Sequence, residues 1–523
     1  SVSASGEGER SAGVAVSTSP GMAIGLAVTT VSSTGLDVAW QAPIISTGSA
    51  VTGYIVYRND GAGGSELSTV ACNGTGSTVA ACSVSGLSGG QEYVFAVSAL
   101  SVSGEGDRSS TFAASTSPAA VSDLSGTGQT TDSISLSWTE AADSGGSAVS
   151  GYIVYRNDGA GGTDHVTVAY DGTGSAATSA TVSGLEGGRL YSFVVSGVSA
   201  AGEGDVSVAA FTESTSPGAA SGLTSVEQTT GSITLSWTAP TELGGEAVSE
   251  YVLYQDDGSG ESAAVSTEAY RGAESSSVVV SGLSGGASYK FAVSAVSASG
   301  EGDRSGVLAQ STSPGAGEAP TSSAQTASSI ELAWAAPSAS TGLEATGYRV
   351  YDESGVVVYD GSASSAVVSG LESGRLYSYV VSALSGGGEG DASGSLSVST
   401  APGLVTGVVS THQTSSSIAL EWAAPVVHSN GSAVSGYKVY ERAVHGLSEV
   451  SDMFVTGGVS ADVLEHFLDP AESDMVIDTV VYDGRGSTDA FVTVSGLTGG
   501  VEYEYVIGAL SASGEGEKTA TVG

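Results

Sequence analysis

Basic side chains are scarce. Fourteen Lys and Arg stand against 55 Asp and Glu in 523 residues, a formal net charge of −41. Such a chain repels a phosphate backbone and an anionic membrane surface, which argues against nucleic acid as a partner and leaves basic proteins and divalent cations. Charge of either sign is also sparse, at 13% of residues against roughly 25% in an ordinary soluble domain. The acidity therefore comes mainly from the shortage of Lys and Arg. No apolar run approaches the ~20 residues that span a bilayer, so direct membrane insertion is not expected. The chain opens on Ser1 without a leader pattern, as a processed chain or a segment of a longer one would. A missing leader is then no argument for the cytoplasm.

What is abundant is small or β-branched: 77 Gly, with Ser, Ala, Val and Thr. These residues suit strands and tight turns better than helices. They are arranged in repeats. The five tryptophans, Trp40, Trp138, Trp237, Trp334 and Trp422, recur at intervals of 98, 99, 97 and 88 residues. Each closes an alternating run such as Ile134-Ser135-Leu136-Ser137-Trp138, the pattern of a half-buried strand. A second strand follows with paired tyrosines (Tyr54 and Tyr57, Tyr152 and Tyr155). Next comes a turn such as Tyr170-Asp171-Gly172, where Asp-Gly supplies positive φ. A Val-Ser-Gly-Leu corner (Val182–Leu185) leads into another alternating strand, then a Gly-Glu-Gly-Asp turn (Gly202–Asp205). A last strand ends at Ser-Thr-Ser-Pro.

Seven short strands with turns every ~8–12 residues describe a β-sandwich. The strand Trp138, the pair Tyr152 and Tyr155, the corner Leu185, the corner tyrosine Tyr191 and the Gly202–Asp205 turn together resemble the fibronectin type III domain. The resemblance repeats five times and covers nearly the whole chain. It implies an all-β fold of tandem seven-stranded sandwiches in an elongated rod. The expected units are 21–117, 118–216, 217–313, 314–401 and 402–523. Residues 1–20 carry a sixth Gly-Glu-Gly and read as the last strand of a preceding or neighbouring sandwich, either because a longer array has been cut or because the strand completes a neighbouring molecule. The chain has no Arg-Gly-Asp, so the family's integrin-binding role does not carry over. Short linkers, each with a Pro, favour a semi-rigid rod on the order of 170 Å long.

Cys72 and Cys82 flank the turn Asn73-Gly74-Thr75-Gly76 and take the places of Tyr170 and Ala180. A cross-strand disulfide is expected, and with it an oxidising compartment. Asn73 and Asn430 head N-glycosylation sequons, and exposed Ser and Thr offer sites for O-glycans. In the fifth unit the stretch from Tyr440 to Tyr482 is 34 residues longer than its counterpart in the fourth. This insertion, about 443–477, has a helix signal at 461–468, capped by Ser460 and stopped by Pro470. Met453, Phe454, Leu464, Phe467, Leu468 and Met475 are its candidate contact residues.

No catalytic set emerges, and the chain is not expected to be an enzyme. Gly86-Leu87-Ser88-Gly89-Gly90 has the spacing of a hydrolase elbow, but the site lacks the strand-to-helix turn, and other units read Glu186, Glu372 or Thr498 there. His445 and His466 lie among carboxylates without a tight zinc set. The recurring turn carboxylates Glu105 and Asp107, Glu203 and Asp205, and Glu301 and Asp303 are candidate Ca²⁺ ligands or plain solvated turns. The leading expectation is an extracellular structural protein: a segment of a filament, cell-surface hair or mastigoneme-like appendage. It would associate with neighbouring copies and carry glycans, with lateral contacts through Ile55, Tyr57, Val94 and Ala96. The alternatives are the stalk of an adhesin or receptor ectodomain, or a spacer array in a secreted glycan-degrading enzyme.

Overall fold

The structure, a computed structural model, describes residues 2–3, 6–7, 12–44, 48–142, 146–241, 244–259, 264–273, 275–338, 344–446 and 474–522. Among them secondary structure is strand only, and no helix is long and apolar enough to cross a membrane. The second unit shows the plan. Strands Ser122–Gln129, Ser133–Thr139 and Ser179–Ser183 form one antiparallel sheet, with Ser133–Thr139 in the middle. Thr167–Asp171, Val149–Arg156 and Leu190–Ser199 form the other. A seventh strand in two pieces, Gly202–Val206 and Phe211–Ser214, pairs along Leu190–Ser199.

The alternation read in the sequence is what closes the sandwich. Ile134, Leu136 and Trp138 point inward and are at most 5% exposed, while Ser135 and Ser137 stay partly exposed on the outer face. They meet Tyr152, Val154, Phe193 and Val195 of the facing sheet. In every unit the Trp packs edge-on against the first strand tyrosine, with centroids 5.2–5.7 Å apart. Such pairs add about 0.5–1.5 kcal/mol beyond area burial. The corner tyrosine also recurs: the hydroxyls of Tyr93, Tyr191, Tyr289, Tyr377 and Tyr503 accept the N–H of Ser88, Glu186, Ser284, Glu372 and Thr498 at 2.7–3.0 Å. Ser88 is therefore a corner residue whose backbone holds the tyrosine.

Two expectations change, and a third falls outside the described residues. Cys72 and Cys82 are disulfide-bonded with Cα atoms 6.5 Å apart, but the bond is no cross-strand pair within a hairpin. Cys72 lies in Thr69–Thr75 and Cys82 in Ala81–Ser85, which belong to opposite sheets, so the bond staples the sandwich shut. In the other units a tyrosine packs on the core there (Tyr170, Tyr270, Tyr359, Tyr482). Each such ring lies against the glycine two residues on; the Gly361 Cα, for instance, leaves no space for a Cβ, which would sit 2.6 Å from the Tyr359 hydroxyl.

The proposed lateral face is not open either. Ala96 is fully buried and Tyr57 half-buried, because the unit's own last-turn arm folds over them: the Arg108 guanidinium sits 3.7 Å from the Tyr57 ring centre, and Tyr57 donates to Glu105.

Finally, the expected helix at 461–468, with Met453, Phe454, Leu464, Phe467 and Leu468, lies outside the described residues. What is described is a long hairpin, Gly436–Gly446 against Asp474–Asp483, in which Met475 pairs with His445. Residues 2–3 pair with 6–7 in the register that Leu100–Ser101 and Gly104–Glu105 use in the first unit.

Candidate functional site at the joints between units

Each linker is fixed at both ends. On the preceding unit, a buried threonine bridges the corner. Thr116 accepts the Gln91 N–H (3.0 Å) and donates to the Ser88 carbonyl (2.7 Å). Thr215, Thr312 and Thr400 repeat both bonds, and all four are at most 1% exposed. On the following unit, the linker proline lies against the second glycine of the Gly-Glu-Gly turn. A Cβ on Gly204 would sit on the Pro118 carbonyl oxygen and 2.9 Å from its carbon. Gly106, Gly302, Gly390 and Gly516 meet Pro20, Pro217, Pro314 and Pro402 in the same way. The first glycine has another reason to be there: Gly202 has φ 115°, a region other residues avoid.

The glutamate between the glycines closes the turn onto its own unit. Glu203 accepts from Tyr155 (2.8 Å) and Ser196 (2.5 Å). Glu105, Glu301 and Glu389 take the matching Tyr and Ser at 2.5–2.8 Å. The Ser98 hydroxyl, with Tyr57, holds the Glu105 carboxyl below its ordinary value. Burial pushes Glu301 up, but Ser294 and Tyr254 outweigh it and the net direction is down. Burial and the Glu203 carboxylate push Tyr155 up to about 12. In the fifth unit Gly508 replaces the serine, and Tyr440 and Lys438 hold Glu515.

The aspartate after the turn reaches across the joint. Asp205 accepts from Ser33 of the first unit, Asp303 from Thr131 of the second (2.8 Å) and Asp391 from Thr230 of the third (2.7 Å). Linker serines add bonds: Ser216 donates to the Ser299 carbonyl (2.8 Å) and Ser313 to that of Gly387 (2.7 Å). On the other side of the joint, backbones meet where only glycines allow it. Gly146 N–H donates to Gly90 and Gly245 N–H to Gly188, both at 3.0 Å.

The sequence reading brought Glu203 with Asp205 and Glu301 with Asp303 together as Ca²⁺ candidates. The structure gives the two carboxylates of each turn different partners, one inside the unit and one in the unit before. Asp107, in the first unit, is exposed. Among the described residues no group of three or more His, Cys, Asp or Glu is arranged to hold a metal. The hydroxyls Ser33, Thr131 and Thr230 went unremarked in the sequence. The signal was there: a Ser or Thr in the first turn of each of these units, one unit before the Gly-Glu-Gly-Asp turns of the second, third and fourth units. Of the sequon asparagines, both are exposed. The Asn73 Oδ1 accepts from the Thr75 N–H (3.2 Å) and hydroxyl (2.5 Å), and Asn430 adjoins Gly431 at the last joint.

The family model of the fibronectin type III domain matches residues 19–115, 119–213, 217–311, 318–399 and 401–522. Among curated relatives, Chitinase A1 of Niallia circulans is 36% identical over 205 residues, 36% of this chain and 26% of that protein. Receptor-type tyrosine-protein phosphatase H of Homo sapiens is 29% identical over 424 residues, 79% of this chain and 35% of that protein. Exoglucanase B of Cellulomonas fimi is 27% identical over 256 residues, 46% of this chain and 21% of that protein. The chain thus spans about a third or less of the length of these relatives. Among solved structures, the FN1–FN3 domains of chicken CNTN1 align at 18% identity over 56% of this chain and 99% of that one, with a TM-score of 0.23. With five tandem matches spanning it, the chain belongs to the fibronectin type III family.

Proposed function

We propose that this chain is a stiff spacer in a secreted or cell-surface protein, its first four units locked end to end into a rod that the fifth continues. The observation that carries this reading is the repeated joint: a linker bolted by Thr116 to one unit and by Pro118 to the next, with a carboxylate–hydroxyl bond across it. A flexible string of domains has no need of these contacts, and relative motion is the default where they are absent. The inter-sheet disulfide supports an oxidising compartment. The five tryptophans are at most 8% exposed, so they offer no aromatic platform for a sugar ring. That favours separation over ligand binding as the job of these units.

The finer reading is a structural segment of an extracellular filament or appendage, associating with neighbouring copies. The second reading is a stalk or spacer in a larger receptor or glycan-degrading enzyme, favoured by relatives named as a receptor-type phosphatase, a chitinase and an exoglucanase. Small-angle scattering of the 523-residue chain tests the common core. A maximum dimension on the order of 170 Å is expected from five units in line, and a compact particle sinks it. Electron microscopy of the native material separates the two readings: fibres support the first, and single rods attached to another domain support the second.

A further inference from the structure

We propose that the joint between the fourth and fifth units is a swivel, the one compliant point in an otherwise stiff array. The inference rests on reading the bonds across the other joints as stiffeners.

Beside the Gly245–Gly188 backbone bond and a bond from the Gln129 side-chain N–H to the Ser299 carbonyl (3.2 Å), three polar positions hold the joint between the second and third units: Thr131 in the first turn of the leading unit, Ser216 in the linker and Asp303 after the trailing turn. The joint between the third and fourth units keeps all three as Thr230, Ser313 and Asp391. At the last joint all three change together. The first-turn residue is Ala327, the linker residue is Ala401, and the carboxylate is Glu517, one methylene longer. Neither alanine side chain can donate a hydrogen bond. Both are tightly covered, Ala327 at 4% and Ala401 at 0% exposure, so the units remain in contact.

What joins them is contact without direction. The Gly431 backbone packs on the Gly374 carbonyl, and Val427 lies beside the same glycine. Among the described residues, the polar side-chain contact across this joint is His428 to Glu372 at 3.7 Å, an ion pair only when the histidine is protonated, between side chains 42% and 60% exposed, the kind of pair that contributes little. Hydrogen bonds fix an angle, because they weaken steeply off axis; apolar packing does not. The fourth and fifth units are therefore held together without being held at one rotation. The fifth unit is also the one that carries the long hairpin Gly436–Gly446 and Asp474–Asp483. A swivel here lets that arm sweep while the stem stays straight.

The test is pulsed electron paramagnetic resonance on the full chain, with spin labels at equivalent exposed serines. Ser369→Cys with Ser495→Cys spans the last joint, and Ser183→Cys with Ser281→Cys spans the second. The distance distribution across the last joint is expected to be at least twofold wider. Ala327→Thr, Ala401→Ser and Glu517→Asp together should narrow it to the width of the second. Should the buried alanines not accept larger side chains, the reverse set, Thr131→Ala, Ser216→Ala and Asp303→Glu, should widen the second joint at least twofold. Equal widths at the two native joints overturn the swivel. If the reverse set leaves the second joint as narrow as before, the stiffening role of these bonds falls instead.

Discussion

Replacing Gly204 with alanine tests whether the linker proline sets the joint. Gly204 is outside the left-handed region, unlike Gly202, so the backbone accepts alanine and the only obstacle is contact. The new Cβ would lie 2.9 Å from the Pro118 carbonyl carbon, where ordinary carbon contacts begin near ~3.5 Å. The Pro118 carbonyl oxygen lies nearer still, so the linker must recede by more than about 0.6 Å. Left in place, the overpacked contact costs at least about 2 kcal/mol, the middle of the range for such changes. The strain is relieved if the joint opens, at the expense of the Ser33–Asp205 and Gly146–Gly90 bonds. A bond to a carboxylate at the low end of its range and one between neutral groups sum to about 2.5 kcal/mol. The parent joint is then open about 1–2% of the time, and the variant, with at most about 0.5 kcal/mol left, at least roughly a third of the time. Spin labels at Ser85→Cys and Ser183→Cys, both exposed in the parent, should show a second, broad population across the first joint. Labels across the second joint should be unaffected. A distribution that stays narrow while the unit loses ~2 kcal/mol or more of stability would refute the reasoning, because the proline contact would then belong to the unit alone.

Other outcomes follow from the same contacts. Cys72→Ser with Cys82→Ser frees a loop of sequence separation 10 and should lower the first unit's stability by about 3 kcal/mol on the chain-entropy account, read as an early transition in calorimetry that the parent lacks. Burial and the Glu203 carboxylate push Tyr155 up from 10.0 to about 12. Its contribution is therefore complete below pH 10 and lost as pH rises towards 12, so alkaline unfolding should track tyrosinate absorbance. Glu105, Glu301 and Glu389 are shifted down from 4.5. Their contribution is present above that value and lost as the pH falls through the folded pKa values, which circular dichroism in acid would detect. Excess Ca²⁺ or chelator should leave the label distances across the joints unchanged, since the turn carboxylates already serve hydroxyl donors; a distance that shifts with Ca²⁺ would show a metal in the joint.

The sandwich was readable because its driving force is periodic. Ile134, Leu136 and Trp138 share a face by counting alone, and burial follows from that count. The joint was harder to read because its partners are far apart in sequence and chemically plain: Ser33 meets Asp205 across 172 positions. A carboxylate in a glycine turn looks the same whether it faces water, a cation or another unit. What distinguishes it is position relative to a neighbouring repeat, which only the packed array supplies. The disulfide illustrates the same limit. Spacing put Cys72 and Cys82 on either side of one turn, but the chain crosses between sheets there, so the pairing was legible and its role as a staple was not. In a tandem array, then, positions that vary together across one boundary carry more information than positions shared by all. Ala327, Ala401 and Glu517 each look like a neutral substitution, yet together they replace the two hydroxyls and the aspartate that, beside the Gln129–Ser299 and Gly245–Gly188 bonds, hold the counterpart joint at one angle.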